Sequence, residues 1–321
     1  MRFFSMFSGV GGFELGLEAG ARDAGAARPV LAGWSEIDPW ARAVHRARFP
    51  GTGALNLGDA RLVVWEAAPG FDLLCAGFPC QSFSRAGRRD GFGDPRGSLF
   101  FEVLRAAGAK RPAHLLLENV RGLLENDGGR TFEVVLGTLG ELGYRLEWEV
   151  LDSKRFGVPQ SRERVYVVGH LGGGPARAVF PLGSQDAEDA GLERGVEPVA
   201  SAVMATGDSG GSGWHMKIVA EPVVFNDHFN KTPHVGFSPT IRASDPPILA
   251  GARFRRLTPM ECERLQGFPD GWTAEGLGED GAPVEVPERS RYALLGNAVT
   301  VNVVRAVAAR LFDCCAEERA R

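Results

Sequence analysis

The stretch Leu73–Gly87, "LLCAGFPCQSFSRAG", governs the reading of the chain. An apolar run ends at Gly77, Pro79 then fixes the backbone, and a lone thiol, Cys80, opens a polar loop. A short apolar run bounded by turn residues reads as a buried strand, so Cys80 stands just beyond that strand's carboxyl end. The cysteine reads as either a packing residue or a nucleophile. A free thiol, with a pKa of about 8.5, becomes reactive only near a helix N-terminus or a cation. The loop that follows, "SRAGRRDGFGDPRGS" (84–98), has glycines at 87, 91, 93 and 97 and is long for a connection. Its arginines suit phosphates, so it is either a lid over a polyanion or a plain surface loop.

Working outward, further apolar runs read as strands: "RFFSMF" (2–7), "VLAGWSE" (30–36), "FDLLCAG" (71–77), "HLLLENV" (114–120) and "RVYVVG" (164–169). Helical patterns at 13–20, 39–49, 98–108 and 131–142 fall between them, the second opening at Asp38-Pro39 with Pro at the first position. This alternation predicts an α/β fold, a doubly wound, mostly parallel sheet with helices on both faces. After Gly169 the rhythm stops. "LGGGP" (171–175) reads as a hinge, 181–213 as loop, and 214–249 as irregular β structure. "LTPMECERLQGF" (257–268) reads as a helix with Thr258 as N-cap and Glu261 three residues on. "NAVTVNVVRAVAARLF" (297–312) reads as one long apolar helix.

The chain has 321 residues, 44% of them hydrophobic, enough for one large domain or two ordinary ones. No signal peptide or membrane span is expected. Five cysteines, two of them adjacent at 314 and 315, make a poor disulfide framework and suggest a reducing, cytoplasmic compartment. No Cys-x-x-Cys pair occurs, so no metal site is expected. The net charge of −4 is unevenly spread: four arginines lie in 85–96, and six acids with no Lys or Arg lie in 270–288. Such a chain has either one basic and one acidic face or merely scattered charge.

Four features gather at expected strand ends. "FSGVGGFELGLEAG" (7–20) has three glycines in four positions, which let backbone approach a ligand, though a tight strand-to-helix turn would use them too. Glu36 in "WSEID" could accept from ribose hydroxyls, and Asp59 in "LGDARL" from an adenine amine or its own turn. With no Lys or Arg in 7–20, an adenosine with a short charged tail fits better than a phosphate. Glu118 follows three leucines, where partial desolvation favours the protonated acid. Arg162 and Arg164, two apart in an extended segment, share a face and could hold Glu118 and a substrate carbonyl.

Together "FSGVGGF", "PCQSFS", "ENV", "QSRER", "RRLTP-ECERLQGFP" and "GNAV" resemble, in order and spacing, the DNA (cytosine-5) methyltransferases of bacterial and phage type. The resemblance covers about 1–170 and 253–312. It implies a methyltransferase (Rossmann-like) domain at 1–175 completed by 285–321, with 176–284 as a small target recognition domain. It implies an S-adenosylmethionine pocket lined by Phe7, Ser8, Gly9, Gly11, Gly12, Phe13, Glu36, Ile37, Asp59, Pro79 and Asn297. Cys80 would be the nucleophile, and Glu118, Arg162 and Arg164 would grip the target base. Ser82, Arg88 and Arg96 would contact DNA.

The implied chemistry explains these residue types. Attack of the Cys80 thiolate on C6 of cytosine makes C5 enamine-like, and a protonated Glu118 at N3 offsets the charge on the ring. The base must leave the stack for this to happen. Implied partners are double-stranded DNA and a cognate restriction endonuclease, with the protein acting as a monomer and no membrane involved. A tRNA cytosine methyltransferase is the nearest rival, but its usual Cys-Phe-Thr signature is absent here. A silent DNA-binding relative would not need Cys80, Glu118 and Arg162. A thiol hydrolase would need a histidine in a matched motif, and none of His45, His114, His170, His215, His228 or His234 falls in one.

Overall fold

A computed structural model of the chain describes residues 1–78, 99–172, 177–182, 224–226, 233–235, 248–250 and 255–319. The five expected strands are present, with one more, in a sheet of order β2-β1-β3-β4-β6-β5. They are β1 (Arg2–Met6), β2 (Val30–Ser35), β3 (Leu73–Gly77), β4 (His114–Val120), β5 (Tyr144–Asp152) and β6 (Glu163–Leu171). Strands β1 to β4 run parallel, and β6 pairs antiparallel with both β4 and β5. The chain order reverses at β1, which has β2 on one side and β3 on the other. Ligands of open α/β sheets bind at the carboxyl ends of strands at such a switch point.

Strand alternation builds two cores. Phe3, Leu73, Cys75, Leu116 and Val168 face one way, onto helix α1 (Gly12–Asp23) and the C-terminal helix. Phe4, Leu74, Ala76, Leu115 and Leu117 face the other, onto helices α3 (Leu99–Lys110) and α4 (Arg130–Glu141). Helix α2 (Pro39–Arg48) begins as expected: the Asp38 carboxylate accepts from Trp40 N and Ala41 N, both at 2.9 Å.

Two expectations are corrected. Strand β5 has no counterpart in the sequence reading, because it lies at the sheet edge, where Arg145, Glu147 and Glu149 interleave with Leu146, Trp148 and Val150 and no apolar run forms. The expected single helix over 297–312 is two elements. After α5 (Pro259–Leu265) come α6 (Glu288–Asn297) and α7 (Val301–Arg319), separated where Ala298 turns extended at φ −68°, ψ 151°. The stretch Glu288–Glu317 has the length and hydropathy of a membrane span, yet 67% of its most apolar window is buried, as in a core helix.

Past residue 182, β7 (Val224–Asn226), β8 (Pro233–Val235), β9 (Ile248–Ala250) and β10 (Arg255–Arg256) form an antiparallel sheet of order β10-β9-β7-β8. The expected capping box is present, with Thr258 Oγ1 accepting from Glu261 N and Glu261 Oε2 accepting from Thr258 N. A hairpin, β11 (Glu275–Leu277) with β12 (Pro283–Glu285), lies on α2, where Arg46 donates twice to Leu277 O. The expected hinge (171–175) and loop (181–213) lie outside the described residues except at 171, 172, 181 and 182.

Candidate active site

The loop after β1 turns at Phe7 (φ 55°) and Gly9 (φ 55°), and Gly11 (φ 87°) then caps α1. A side chain at Gly11 would strike the Phe49 ring at 2.2 Å, so only glycine fits there. Among the described residues nothing stands within 4 Å of the position a Gly9 side chain would take, which forms an open cradle. Ser8 is buried, and its Oγ has no hydrogen-bond partner among the described residues. Gly12 and Phe13 begin α1, with Phe13 buried beneath the loop.

Glu36, one residue past β2, ties this loop to the next. Its Oε2 accepts from Gly9 N at 2.9 Å, and its Oε1 from Ile37 N and Asp38 N at 2.8 and 2.9 Å. A carboxylate has about four acceptor positions, so one remains for a hydroxyl. Ile37 stands 61% exposed, an apolar plate against water. Asp59 is engaged by Arg61, whose Nη2 lies 2.6 Å from Oδ2, and this pairing lowers the Asp59 pKa. Asn297 closes α6 with its side chain exposed. The cradle, the unpartnered Ser8 hydroxyl, the free acceptor on Glu36 and the apolar plate fit a nucleoside with a short non-phosphate tail, and S-adenosylmethionine has that form.

At the end of β4, Glu118 is 9% exposed and lies 3.2 Å from Arg164 Nε. Burial raises its pKa, and Arg164 and Arg162 offset part of that rise. Register β4/β6 sets Glu118 opposite Tyr166 and Val120 opposite Arg164. Burial and the nearby Glu118 push the Tyr166 pKa up, so it stays a phenol. Arg162 is 3% exposed, and its Nη2 donates to Gly296 O at 3.1 Å and Ala298 O at 2.8 Å. Both arginines therefore stand near Glu118, but Arg162 also binds the backbone on either side of Asn297. Gly77 ends β3, and a side chain there would meet Glu118 Oε2 at 3.4 Å. The strand leading to Cys80 thus runs beside this carboxyl.

Pro79, Cys80, Ser82, Arg88 and Arg96 lie outside the described residues. The sequence reading missed Asn119, whose Nδ2 donates to Phe78 O at 2.9 Å and fixes the backbone just before Pro79. The quoted "ENV" contained it, but only the acid was read. It also missed Gln160, fully buried with neither amide atom partnered among the described residues, and the hydroxyl of Thr300.

Residues 1–192 and 221–313 match the family model described as C-5 cytosine-specific DNA methylase. Type II methyltransferase M.NlaX of Neisseria lactamica is 34% identical over 97% of this chain and 96% of its own length. Type II methyltransferase M.NgoBI of Neisseria gonorrhoeae is 34% identical over 94% and 90%. Among solved structures, the S. pombe Dnmt2 methyltransferase superposes with a TM-score of 0.67 at 19% identity, covering 98% of both chains. A putative DNA modification methyltransferase from an E. coli prophage gives 0.63 at 20%, covering 98% of this chain and 99% of its own. A buried acid paired with Arg164 and near Arg162, beside a glycine cradle, on a chain matched by this family over most of its length, makes the protein a member of the C-5 cytosine-specific DNA methylases, a DNA cytosine-5 methyltransferase.

Proposed function

We propose that Cys80 attacks C6 of an extruded cytosine in a specific duplex sequence while Glu118 and Arg164 hold the base. The observation that carries this reading is the buried Glu118, its pKa raised by desolvation, at the end of the strand beside the one that leads to Cys80. Burial favours the protonated form of this carboxyl, which donates to the ring nitrogen as negative charge develops there. Arg164 holds that carboxyl in place and points a positive charge at the base edge. Asn119, through Phe78 O, sets the approach of the Pro79–Cys80 segment. Loss of the C5 proton then expels the thiolate and restores the ring. Ser82, Arg88 and Arg96 contact the DNA as its base leaves the stack, which costs a few kcal/mol.

S-adenosylmethionine, held by Phe7, Ser8, Gly9, Gly11, Gly12, Phe13, Glu36, Ile37, Asp59, Pro79 and Asn297, supplies an electrophilic methyl on a cationic sulfur. The chain's part is to orient it: Glu36 to the ribose, Ile37 to the adenine, Ser8 to the tail. Asp59 reaches an adenine amine only by releasing Arg61, an exposed ion pair of modest strength. Residues 1–175 with 285–321 are the catalytic domain and 176–284 the recognition domain, the stretch 257–284 being the part that docks on α2. The substrate is double-stranded DNA rather than tRNA, a choice supported by whole-length relatives that are type II methyltransferases. A cognate endonuclease is the accompanying partner. The enzyme acts as a monomer in a reducing, cytoplasmic compartment; four buried cysteines that form no disulfide among the described residues support the reducing setting.

A duplex carrying 5-fluorocytosine at the target tests this. With S-adenosylmethionine present, a protein–DNA adduct that survives denaturation is expected, because the fluorine cannot leave as a proton does. An unshifted protein mass would overturn the covalent scheme.

A further inference from the structure

Residues 296–300, from the last turn of α6 to the start of α7, touch both halves of the site. The carbonyls of Gly296 and Ala298 hold Arg162, and Asn297 between them is the residue assigned to the cofactor. The Val299 side chain fills the space that a side chain at Gly12 would take, at 2.7 Å, and stands in ordinary contact distance, 3.7 Å, of the one that Gly77 lacks. One short segment therefore seats against the cofactor loop, the end of β3 and the arginine beside Glu118.

What fixes this segment is polar and fully enclosed. Ser153, Thr300 and Gln266 are no more than 1% exposed. Thr300 Oγ1 lies 2.9 Å from Ser153 Oγ and 2.9 Å from Gln266 Oε1, and Gln266 Nε2 donates to Leu295 O at 2.9 Å. Ser153 N and Ser153 Oγ both lie 3.2 Å from Arg162 O, so this hydroxyl ties Thr300 to the backbone of Arg162. From Thr300 onward the chain has one direction, Thr300 to Gln266 to Leu295. Gln266 O also accepts from Val301 N at 2.9 Å, so the same residue holds both ends of the break between the helices. An apolar set would fill this volume equally well but would not fix the direction of the break.

We infer that Thr300 and Gln266 are positioning residues for methyl transfer, holding the 296–300 segment against which both the cofactor loop and the Arg162–Glu118 pair are seated. This rests on the roles proposed above for Asn297, Arg162 and Glu118. Neither residue touches a reacting atom. Their effect passes through the carbonyls that hold Arg162 and through the seat of Val299.

The test uses the full chain with Thr300→Val, Thr300→Ser, Gln266→Met and, as the mildest change, Ser153→Ala. Three quantities are read: the dissociation constant for S-adenosylhomocysteine without DNA, the pH dependence of kcat on a target duplex, and the Tm. Losing one buried hydrogen bond should weaken S-adenosylhomocysteine binding about five-fold in Thr300→Val and Gln266→Met, less in Ser153→Ala, with Thr300→Ser restoring it. The Glu118-linked limb of the pH profile should move to higher pH, because a displaced Arg162 offsets less of the burial. A lower Tm with unchanged affinity and pH profile in Thr300→Val and Ser153→Ala would overturn the inference and leave a purely structural role. If the wild-type chain binds no S-adenosylhomocysteine, the cofactor reading fails first and the inference falls with it.

Discussion

Arg164 Nε lies 3.2 Å from Glu118 Oε1, yet the carboxyl's pKa stays above its ordinary value because burial outweighs both nearby arginines. Its raised folded pKa has a definite sign for stability. The unfolded chain releases this proton near pH 4.3, whereas the folded chain holds it to higher pH. Stability is therefore greatest below that value and falls as pH rises through the folded pKa. Glu118→Gln removes the titration. At pH 7.5 the variant should melt higher than wild type by about 2 °C, and at pH 4 the gain should vanish. Its kcat should fall by about 100-fold or more, since an amide cannot deliver a proton. Calorimetry at the two pH values, with a methylation assay, checks both; a variant less stable at pH 7.5 would contradict the burial argument.

Cys80→Ser should lose methyl transfer while duplex binding stays within about two-fold. A serine hydroxyl is far less acidic than a thiol and is not ionised at neutral pH. Filter binding and tritiated-methyl transfer separate the two effects. Turnover near the wild-type rate would remove Cys80 from the mechanism.

The fold was largely legible, and the reason is local. Four parallel strands are buried on both faces and read as unbroken apolar runs, as in "LLCAG" and "HLLLENV". Strand β5 was not legible, since an edge strand carries charge along its length. The break at Ala298 was not legible either. Val299, Thr300 and Val301 continue an apolar helical pattern, and the cause of the break lies in Arg162 and Gln266, distant in sequence. The acid Glu118 and its arginines stood out by residue type at strand ends. Asn119 and Thr300 did not, because amides and hydroxyls are common and only their partners reveal their work.

Arg88 and Arg96, in the glycine-rich stretch 84–98, should govern the salt dependence of DNA binding. Each phosphate neutralised contributes about 0.9 to the slope of log K against log salt. Arg96→Ala and Arg88→Ala should each flatten that slope by about 1 and weaken binding to target and non-target duplexes alike. Titration of a labelled duplex from 50 to 200 mM salt measures this. Slopes equal to wild type would place these arginines off the phosphates.

A second titration belongs to the far end of the sheet. His114 Nδ1 and His170 Nδ1 lie 3.0 Å apart, with Cys315 Sγ 3.2 Å from His114 Nε2 and Glu147 Oε1 3.3 Å from His170 Nε2. Burial, with Arg145 nearby, lowers the His170 pKa to about 4, despite Glu147. The unfolded histidine takes up its proton near pH 6.5, well before the folded one does. Stability is thus complete above pH 6.5, declines as pH falls toward 4, and levels off below. His170→Gln keeps a polar partner for His114 and cannot titrate. It should be less stable than wild type at pH 7.5 through lost packing, by about 1–2 kcal/mol. Between pH 7.5 and 4.5 it should lose less stability than wild type, by about 2–3 kcal/mol or about 3–4 °C in Tm. Thermal melts across that range read the difference directly, and parallel curves would show that His170 does not carry the acid sensitivity.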